Sequence, residues 1–302
     1  MERRTFLKNG ILTAAVGITT AGNAQAERKQ STPFRMKFSP EFGIFAAVAG
    51  KDPADQVKWG YDQGFRAWEN TGLKSKSIAE QERISQAVQK LGMEFGQFVG
   101  TMTFEKVTFA GKDASLREMV LKDVRESVEI AKRMNTKIVH NVLGMSDPKL
   151  SRDFQMVNAV ELLKRIADIY EPHNIIMVME SMNHKVDHPG MFLQTIPQAY
   201  ALAKSVASPS VKVLFDFYHV QVEDGNLLDT LDYAYDEIAY YQLADVPGRK
   251  EPTTGEINYK NVLQHLHDKG YRGFVGMEHG TKKPGAEGAL AALAAYRSID
   301  PR

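Results

Sequence analysis

Eight short apolar segments recur along the chain, and longer segments with helical periodicity separate them. The apolar segments, which we predict to be β-strands, are 36–42, 65–70, 93–100, 137–144, 175–180, 211–216, 238–243 and 273–278. The clearest helical segment is 115–134, where Leu116, Val120 and Val124 recur on one face. Glycine stands just before the next apolar segment at positions 64, 92 and 270, where a helix is expected to end.

Strands that are apolar almost throughout are typical of parallel sheets whose two faces are covered by helices. Eight strand–helix units over residues 36–302 match a (β/α)₈ barrel, which needs about 250 residues. No Pro/Ser-rich linker divides this region, so we predict a single α/β domain with the TIM barrel fold. A doubly wound sheet is the alternative, and it is disfavoured because no G-x-G-x-x-G follows the first predicted strand.

The N-terminal residues predict an export signal rather than part of the fold. Arg3 and Arg4 precede a mildly apolar segment, 10–21, and a small-x-small site ends at Ala26. The arrangement resembles a twin-arginine signal peptide, so we expect cleavage after residue 26, a linker over 27–35 and a periplasmic or otherwise exported protein. The apolar segment is too short to span about 30 Å of hydrocarbon, so no membrane association is expected after cleavage.

The amino-acid composition excludes several classes of function and several kinds of site. Lys plus Arg number 38 and Asp plus Glu number 37, so the chain lacks the positive field that attracts nucleic acid. With no cysteine, disulfides, thiolate nucleophiles and sulfur-ligated zinc are excluded. Any metal must therefore be held by oxygen or imidazole ligands.

Four late strands end on polar residues. Glu180, Asp216, Gln242 and Glu278 are each the last or next-to-last residue of a predicted strand. In a barrel these strand ends converge on one mouth, where active sites lie. Three carboxylates there would repel one another unless a cation lay among them, and an all-oxygen set suits Mg²⁺ or Mn²⁺. The alternative is that each residue only caps its strand or pairs with a nearby Lys or Arg.

Other polar residues near the same strand ends are predicted to contact substrate. They are His140, His219, Glu69, Asn183, Arg249 and Glu256. Arg249 lies in a long loop after the seventh strand and could clamp substrate through its planar guanidinium, with Glu256 holding it in place. The alternatives are a surface ion pair for Arg249 and Glu256, an inter-strand salt bridge for Glu69, a loop position for His219 and a core position for His140. His184 and His188 are expected to face solvent.

The loop "QLADVPGRKEPTTGEINY", with "DFYHVQ" before it and "GFVGMEH" after it, resembles the hydroxypyruvate isomerase branch of the xylose isomerase-like sugar isomerases and epimerases. The resemblance covers residues 36 to about 295. It implies that Glu180, Asp216, Gln242 and Glu278 bind one divalent metal. It also implies that Glu180 and Glu278 act as the acid and base that move a proton through a metal-bound enediolate of a sugar or hydroxy-keto acid.

The chain departs from this branch in two places. Ser181-Met182-Asn183 replaces the usual Pro-Leu-Asn after the fifth strand, and the predicted signal peptide favours an exported isomerase or epimerase of unphosphorylated sugars as an alternative. A non-catalytic sugar-binding barrel that retains the metal site is a second alternative. A DNA-repair endonuclease is disfavoured by the near-zero net charge and by Gln rather than His at position 242. The oligomeric state stays open, a homo-oligomer included.

Overall fold

The structure is a computed structural model that describes residues 31–302. The predicted signal peptide and the start of the predicted linker lie outside these residues. The remainder of that linker packs against the barrel: Phe34 is buried, the Arg297 guanidinium donates to the carbonyl of Thr32 at 2.8 Å, and Asp300 accepts from the backbone N–H of Arg35 at 2.9 Å. Residues 31–35 are therefore part of the folded unit, because Phe34 adds to its core.

Parallel strands form a closed barrel. The strands are β1 (Lys37–Pro40), β2 (Ala67–Trp68), β3 (Glu94–Phe95), β4 (Gln97–Thr101), β5 (Ile138–Asn141), β6 (Ile176–Glu180), β7 (Val211–Asp216), β8 (Ile238–Leu243) and β9 (Phe274–Met277). One sheet has the order β1-β9-β8-β7-β6-β5-β4, and β2 pairs with β3. Only Gly96 separates β3 from β4, and the N–H of Glu69 after β2 donates to Pro40 of β1 at 3.1 Å. These links complete an eight-stranded barrel, which confirms the predicted fold.

Helices cover the outside of the barrel. They are α1 (Ala46–Ala49), α2 (Pro53–Asp62), α3 (Ile78–Lys90), α4 (Ala114–Met134), α5 (Arg152–Tyr170), α6 (Ile196–Val206), α7 (Phe217–Glu223), α8 (Leu227–Ala234), α9 (Tyr259–Asp268) and α10 (Gly285–Ile299). The longest, α4, begins where the Asp113 carboxylate caps the N–H of Leu116 at 2.9 Å and ends at Asn135 in the left-handed conformation. Within residues 31–302 no helix is both long and apolar enough to cross a membrane.

Side chains fill the barrel interior in layers. Ile138, Val178, Leu214 and Tyr240 come from four adjacent strands and form an apolar cluster separate from the larger core under the helices. Side chains alternate between the two faces of a strand, so the residue two positions later faces the same interior. Those next residues are His140, Glu180, Asp216 and Gln242. The apolar layer therefore supports a polar layer at the carboxyl ends of the strands.

Candidate active site at the carboxyl ends of the strands

The four predicted metal ligands lie on four adjacent strands at the same end of the barrel. Asp216 of β7 is paired with Gln242 of β8, Glu180 is the last residue of β6, and Glu278 directly follows β9. Glu180, Asp216 and Gln242 are buried, with 2%, 1% and 0% of their surface exposed, whereas the side chain of Glu278 is 28% exposed. Glu278 therefore marks the solvent side of the cluster.

Two cationic or hydrogen-donating groups link the carboxylates. The Arg249 guanidinium lies 3.3 Å from Oδ2 of Asp216 and 3.1 Å from Oε2 of Glu278. Nε2 of His219 lies 3.6 Å from both Oε1 of Glu180 and Oδ2 of Asp216. Glu180 and Asp216 are thus close to each other and to His219, and Arg249 links Asp216 to Glu278 at the edge of this group.

The donor set fits a hard divalent cation. Among the described residues, Oε1 of Glu180, Oε1 of Gln242 and Oε2 of Glu278 are buried oxygens without a hydrogen-bond partner of acceptable geometry. Unsatisfied buried oxygens that converge with a carboxylate are the ligands that Mg²⁺ and Mn²⁺ prefer. These residues would therefore hold such an ion.

The carboxyl groups of the cluster have strongly perturbed acidity. Burial, together with the negative charges of Glu278 and Glu180, raises the pKa of Asp216 well above its ordinary value despite the opposing charge of Arg249. Burial raises the pKa of Glu278 as well, and the charge of Glu180 adds to the effect against that of Arg249. Without a divalent ion the cluster thus resists carrying its full negative charge.

Glu180 is the exception, because it faces histidine. Burial raises the pKa of Glu180, but His140, with Nε2 at 2.7 Å from Oε2, and then His219 and Arg249 outweigh burial and lower it to about 2. Burial lowers the pKa of His140, and the neighbouring Glu180 carboxylate more than compensates, so the net shift is upward. His140 is fully buried and contacts Glu180, so a direct contact with substrate stays a prediction.

His219 is buried on a short helix, so the alternative of a loop position is wrong. Its helix, α7, starts immediately after β7 because Oδ1 of Asp216 caps the N–H of Tyr218 at 2.9 Å. Nδ1 of His219 faces two donors: the side-chain Nδ2 of Asn183 at 2.6 Å and the backbone N–H of Asn183 at 3.3 Å. The orientation of the Asn183 amide is set by its Oδ1, which accepts from the N–H groups of Val186 and Asp187.

This network determines what His219 can do. Burial lowers the pKa of His219 to about 3, so the ring is neutral and has one N–H. Because Nδ1 accepts hydrogen bonds, the hydrogen resides on Nε2, the atom that faces the carboxylates. The ligand atoms of His219, Glu180 and Asp216 lie within 4.8 Å of one another, but a protonated Nε2 donates hydrogen bonds and does not bind metal. The geometry thus supports the predicted substrate contact for His219, with Asn183 orienting the ring.

The loop after β8 carries Arg249 into the cluster. Fully buried Asp245 accepts hydrogen bonds from the N–H groups of Val246, Gly255 and Ile257, at 3.0, 2.8 and 3.1 Å. Gly255 allows this close return, since a Cβ there would lie 2.0 Å from the carbonyl oxygen of Val246. The loop is therefore anchored from beneath rather than free at the mouth.

The predicted contact between Glu256 and Arg249 is wrong. Glu256 is exposed and accepts from Nε2 of Gln221 at 3.0 Å, while Arg249 turns to Asp216 and Glu278. The physical reason is that two carboxylates, one buried and one partly buried, attract the guanidinium more strongly than a solvated one.

Two further carboxyl groups line the side of the mouth near β1 and β2. Glu69 is fully buried and accepts a hydrogen bond from the Tyr240 hydroxyl, and its predicted substrate contact stays a prediction. Sequence reasoning missed Glu41, which directly follows β1 and accepts from the N–H of Thr71 at 2.8 Å. Burial raises the pKa of Glu41 to about 7, with a contribution from Glu278. The signal that identified the other carboxylates, an acidic residue at the end of a predicted strand, applies to Glu41 as well.

The two loop histidines after β6 differ from each other. His184 is exposed, as expected, and its Nδ1 lies 2.8 Å from Oε1 of Glu223. His188 is half-buried instead of solvent-facing: its ring stacks on Phe104 with centroids 5.0 Å apart and lies 5.4 Å from the ring of His219. Phe104 covers the ring from the neighbouring loop, which explains why His188 is shielded.

Comparisons with known proteins match both the sequence and the fold. The profile of the family described as "Xylose isomerase-like TIM barrel" matches residues 57–299. Hydroxypyruvate isomerase of Escherichia coli (strain K12) is 32% identical over 164 residues, which cover 54% of this chain and 63% of that protein. 2-oxo-tetronate isomerase of Pectobacterium atrosepticum is 32% identical over 158 residues, which cover 52% of this chain and 60% of that protein.

The fold has close relatives among solved structures. The crystal structure of AP endonuclease, family 2, from Brucella melitensis superposes with a TM-score of 0.73 at 24% identity. The match covers 86% of this chain and 99% of that chain. At this identity the likeness shows the barrel fold alone.

Proposed function

The chain belongs to the xylose isomerase-like TIM barrel family, and from this premise we propose that it is an isomerase of a small keto acid or sugar, related in chemistry to hydroxypyruvate isomerase. The observation that carries the proposal is the convergence of Glu180, Asp216 and Glu278 around Arg249 and His219 at the barrel mouth. The names of the two bacterial relatives support the choice of substrate class.

Glu180, Asp216, Gln242 and Glu278 would hold a divalent cation, Mg²⁺ or Mn²⁺, through oxygen atoms. When bound, such an ion acts as a Lewis acid that polarises a carbonyl group and makes the neighbouring C–H more acidic. The unsatisfied buried oxygens of Glu180, Gln242 and Glu278 support this role, as do the upward pKa shifts of Asp216 and Glu278.

Glu180 and Glu278 would move the proton. They flank the cluster on β6 and after β9, so a substrate between them presents adjacent carbons to the two carboxyl groups. One glutamate would remove a proton from the hydroxyl-bearing carbon beside the carbonyl, and a proton would return to the former carbonyl carbon. The hydroxyl proton would pass to the former carbonyl oxygen, so that the carbonyl and hydroxyl groups exchange places. The Nε2–H of His219 and the guanidinium of Arg249 would bind and orient the substrate oxygens, since both face the cluster.

Solvent-deuterium exchange tests this proposal. The chain, supplied with Mn²⁺ or Mg²⁺ in D₂O, is incubated with hydroxypyruvate and with C3 to C6 ketoses and aldoses, and NMR identifies the labelled carbon. Deuterium on the carbon next to the one that lost its proton signifies an isomerase. Deuterium on a carbon whose configuration is inverted signifies an epimerase, and binding without any label signifies a non-catalytic barrel. We expect isomerisation of at least one substrate.

Two substitutions locate the chemistry. Glu180→Gln and Glu278→Gln should each abolish exchange, because neither amide can accept or return a proton. Glu223→Gln is the matched control: Glu223 is also buried near the mouth, but it pairs with His184 and should leave exchange unchanged. Exchange that persists in either of the first two variants would show that the proton-transfer assignment is wrong.

A further inference from the structure

Glu69 reaches into the barrel from the end of β2 and ends above Gly276 of β9. Gly276 is level with Gln242 in the pairing of β8 and β9. A methyl group at position 276 would lie 2.7 and 2.8 Å from the two carboxyl oxygens of Glu69 and 3.0 Å from Cγ of Gln242. The two side chains therefore meet in the space that a side chain at position 276 would fill.

Both side chains have buried hydrogen-bonding capacity left over. Each is 0% exposed. Over the described part of the chain, Oε1 of Glu69 and both Nε2 and Oε1 of Gln242 have no hydrogen-bond partner, whereas Oε2 of Glu69 is taken by the Tyr240 hydroxyl. Buried polar atoms are unfavourable when unpaired, so a free donor and a free acceptor that border the same space are expected to pair.

An amide ligand has to be oriented before it can bind a metal. Only the oxygen of Gln242 binds a hard cation, so Nε2 must turn away from the cluster and find an acceptor there. Oε1 of Glu69 is such an acceptor. It accepts as part of a carboxylate, and it also accepts in the protonated group when the proton lies on Oε2.

We propose that Glu69 is a positioning residue of the metal site, whose Oε1 accepts a hydrogen bond from Nε2 of Gln242 and so aims the amide oxygen at the cation. This inference rests on the proposed function, because it presupposes a divalent ion at the strand-end residues. It gives Glu69 a place behind a ligand instead of a contact with substrate. It also explains why position 276 is glycine, since a side chain there would separate the two groups.

Mn²⁺ affinity measures this effect without requiring activity. Calorimetric titration of the metal-stripped chain with Mn²⁺ should show that Glu69→Leu binds about 10- to 100-fold more weakly than wild type, the usual loss when a buried partner of a ligand is removed. Glu69→Gln should bind close to the wild-type value, because its carbonyl oxygen still accepts from Gln242 while Tyr240 can accept from its amide.

A matched control separates positioning from a general effect on the core. Gln97 of β4 is likewise fully buried and is a second amide within reach of Glu69, since hydrogen bonding from its side chain lowers the pKa of Glu69 against the larger effect of burial. Gln97→Leu therefore removes a polar group of the same layer without touching Gln242, and it should leave Mn²⁺ affinity unchanged. In the Gln242→Leu background, Glu69→Leu should cause no further loss, since the ligand that it positions is gone.

The outcomes discriminate sharply. The inference is overturned if Glu69→Leu binds Mn²⁺ like wild type, if Gln97→Leu loses as much affinity, or if the two losses at positions 69 and 242 simply add. Wild-type protein that binds no Mn²⁺ would instead overturn the metal site itself. Thermal unfolding of the metal-free variants reports folding. If Glu69→Leu does not fold, Glu69→Met takes its place, because it keeps the length of the side chain, removes the acceptor oxygen and should weaken Mn²⁺ binding equally.

Discussion

At the scale of single residues, Glu41 is a carboxyl group of the mouth whose pKa lies near neutral pH. Burial raises its pKa from 4.5 to about 7, against the opposing N–H of Thr71 and with support from Glu278. The folded chain therefore holds a proton that the unfolded chain releases, so the contribution to stability is complete below pH 4.5 and is lost as pH rises through about 7.

Glu41→Gln should remove this pH dependence. Urea unfolding of the metal-free chain at several pH values should show wild type losing stability relative to Glu41→Gln as pH rises through about 7, with little difference near 4.5. Glu118→Gln, at an exposed site on α4, is the control and should follow the wild-type profile. A difference between wild type and Glu41→Gln that is constant with pH would contradict the assignment.

Asn183 should control the tautomer of His219. In wild type, ¹⁵N NMR is expected to show the hydrogen on Nε2, because both donors of Asn183 face Nδ1. Asn183→Leu keeps only the weaker backbone contact, so the Nε2–H form should become less populated and turnover should fall by up to about 100-fold, as for a small misplacement of a reacting group. An unchanged tautomer in this variant would show that Asn183 does not orient the ring.

Sequence reasoning located residues better than it located their partners. Glu180, Asp216 and Gln242 were identified because inward-facing positions follow from strand periodicity and strand ends. The partner of Arg249 was misassigned, because the direction of a long side chain depends on burial and on competing charges that only the folded loop reveals. The tautomer of His219 could not be inferred for the same reason: it depends on Asn183, 36 positions away.

At the scale of elements, the loop between β8 and α9 is held by Asp245. Asp245→Ala would leave three backbone N–H groups without their acceptor, and we expect a loss of about 2–5 kcal/mol in the free energy of unfolding. Hydrogen exchange should increase over 245–257, and Arg249 should lose its fixed position. Asp245→Asn keeps one side-chain oxygen and should lose less, so equal losses in the two variants would contradict the anchoring role.

Element boundaries followed from the sequence where the local signal was strong. β7 and β8 coincide with the predicted segments 211–216 and 238–243, and α4 differs from its prediction by one residue. The third predicted strand is interrupted at Gly96, because Tyr240 crosses the interior there: a Cβ at Gly96 would lie 2.6 Å from its hydroxyl. The seven-residue helix α7 was missed because its start depends on a cap by Asp216, the same residue that ends β7.

At the scale of the whole molecule, the barrel was predictable because eight buried parallel strands leave few other architectures. Closure was less predictable. It depends on β2, which is only two residues long, and on the bridge between Glu41 and Glu69 that joins it to β1. Neither β2 nor the Glu41–Glu69 bridge has a strong hydrophobic pattern in the sequence. The sequence therefore predicts the barrel mainly from its later strands.

A divalent ion should stabilise the whole fold. Mn²⁺ at about 100 times its dissociation constant should add about 2.7 kcal/mol, which corresponds to a rise in Tm of about 4 °C for a chain of this size, and EDTA should reverse it. In Asp216→Asn the rise should be much smaller. Its metal-free Tm should lie close to that of wild type, because Asn keeps the Oδ1 that accepts from the N–H of Tyr218. An undiminished rise in Asp216→Asn would exclude that residue as a ligand.

The position of a bound ion tests the proposed metal site most directly. Anomalous diffraction from crystals grown with Mn²⁺ should show one peak at the carboxyl ends of β6 to β9, with oxygens of Glu180, Asp216, Gln242 and Glu278 at about 2.0–2.6 Å, and with Arg249 displaced from their shared volume. A peak coordinated by Nε2 of His219, a peak that excludes Gln242, or no peak at this end of the barrel would contradict it.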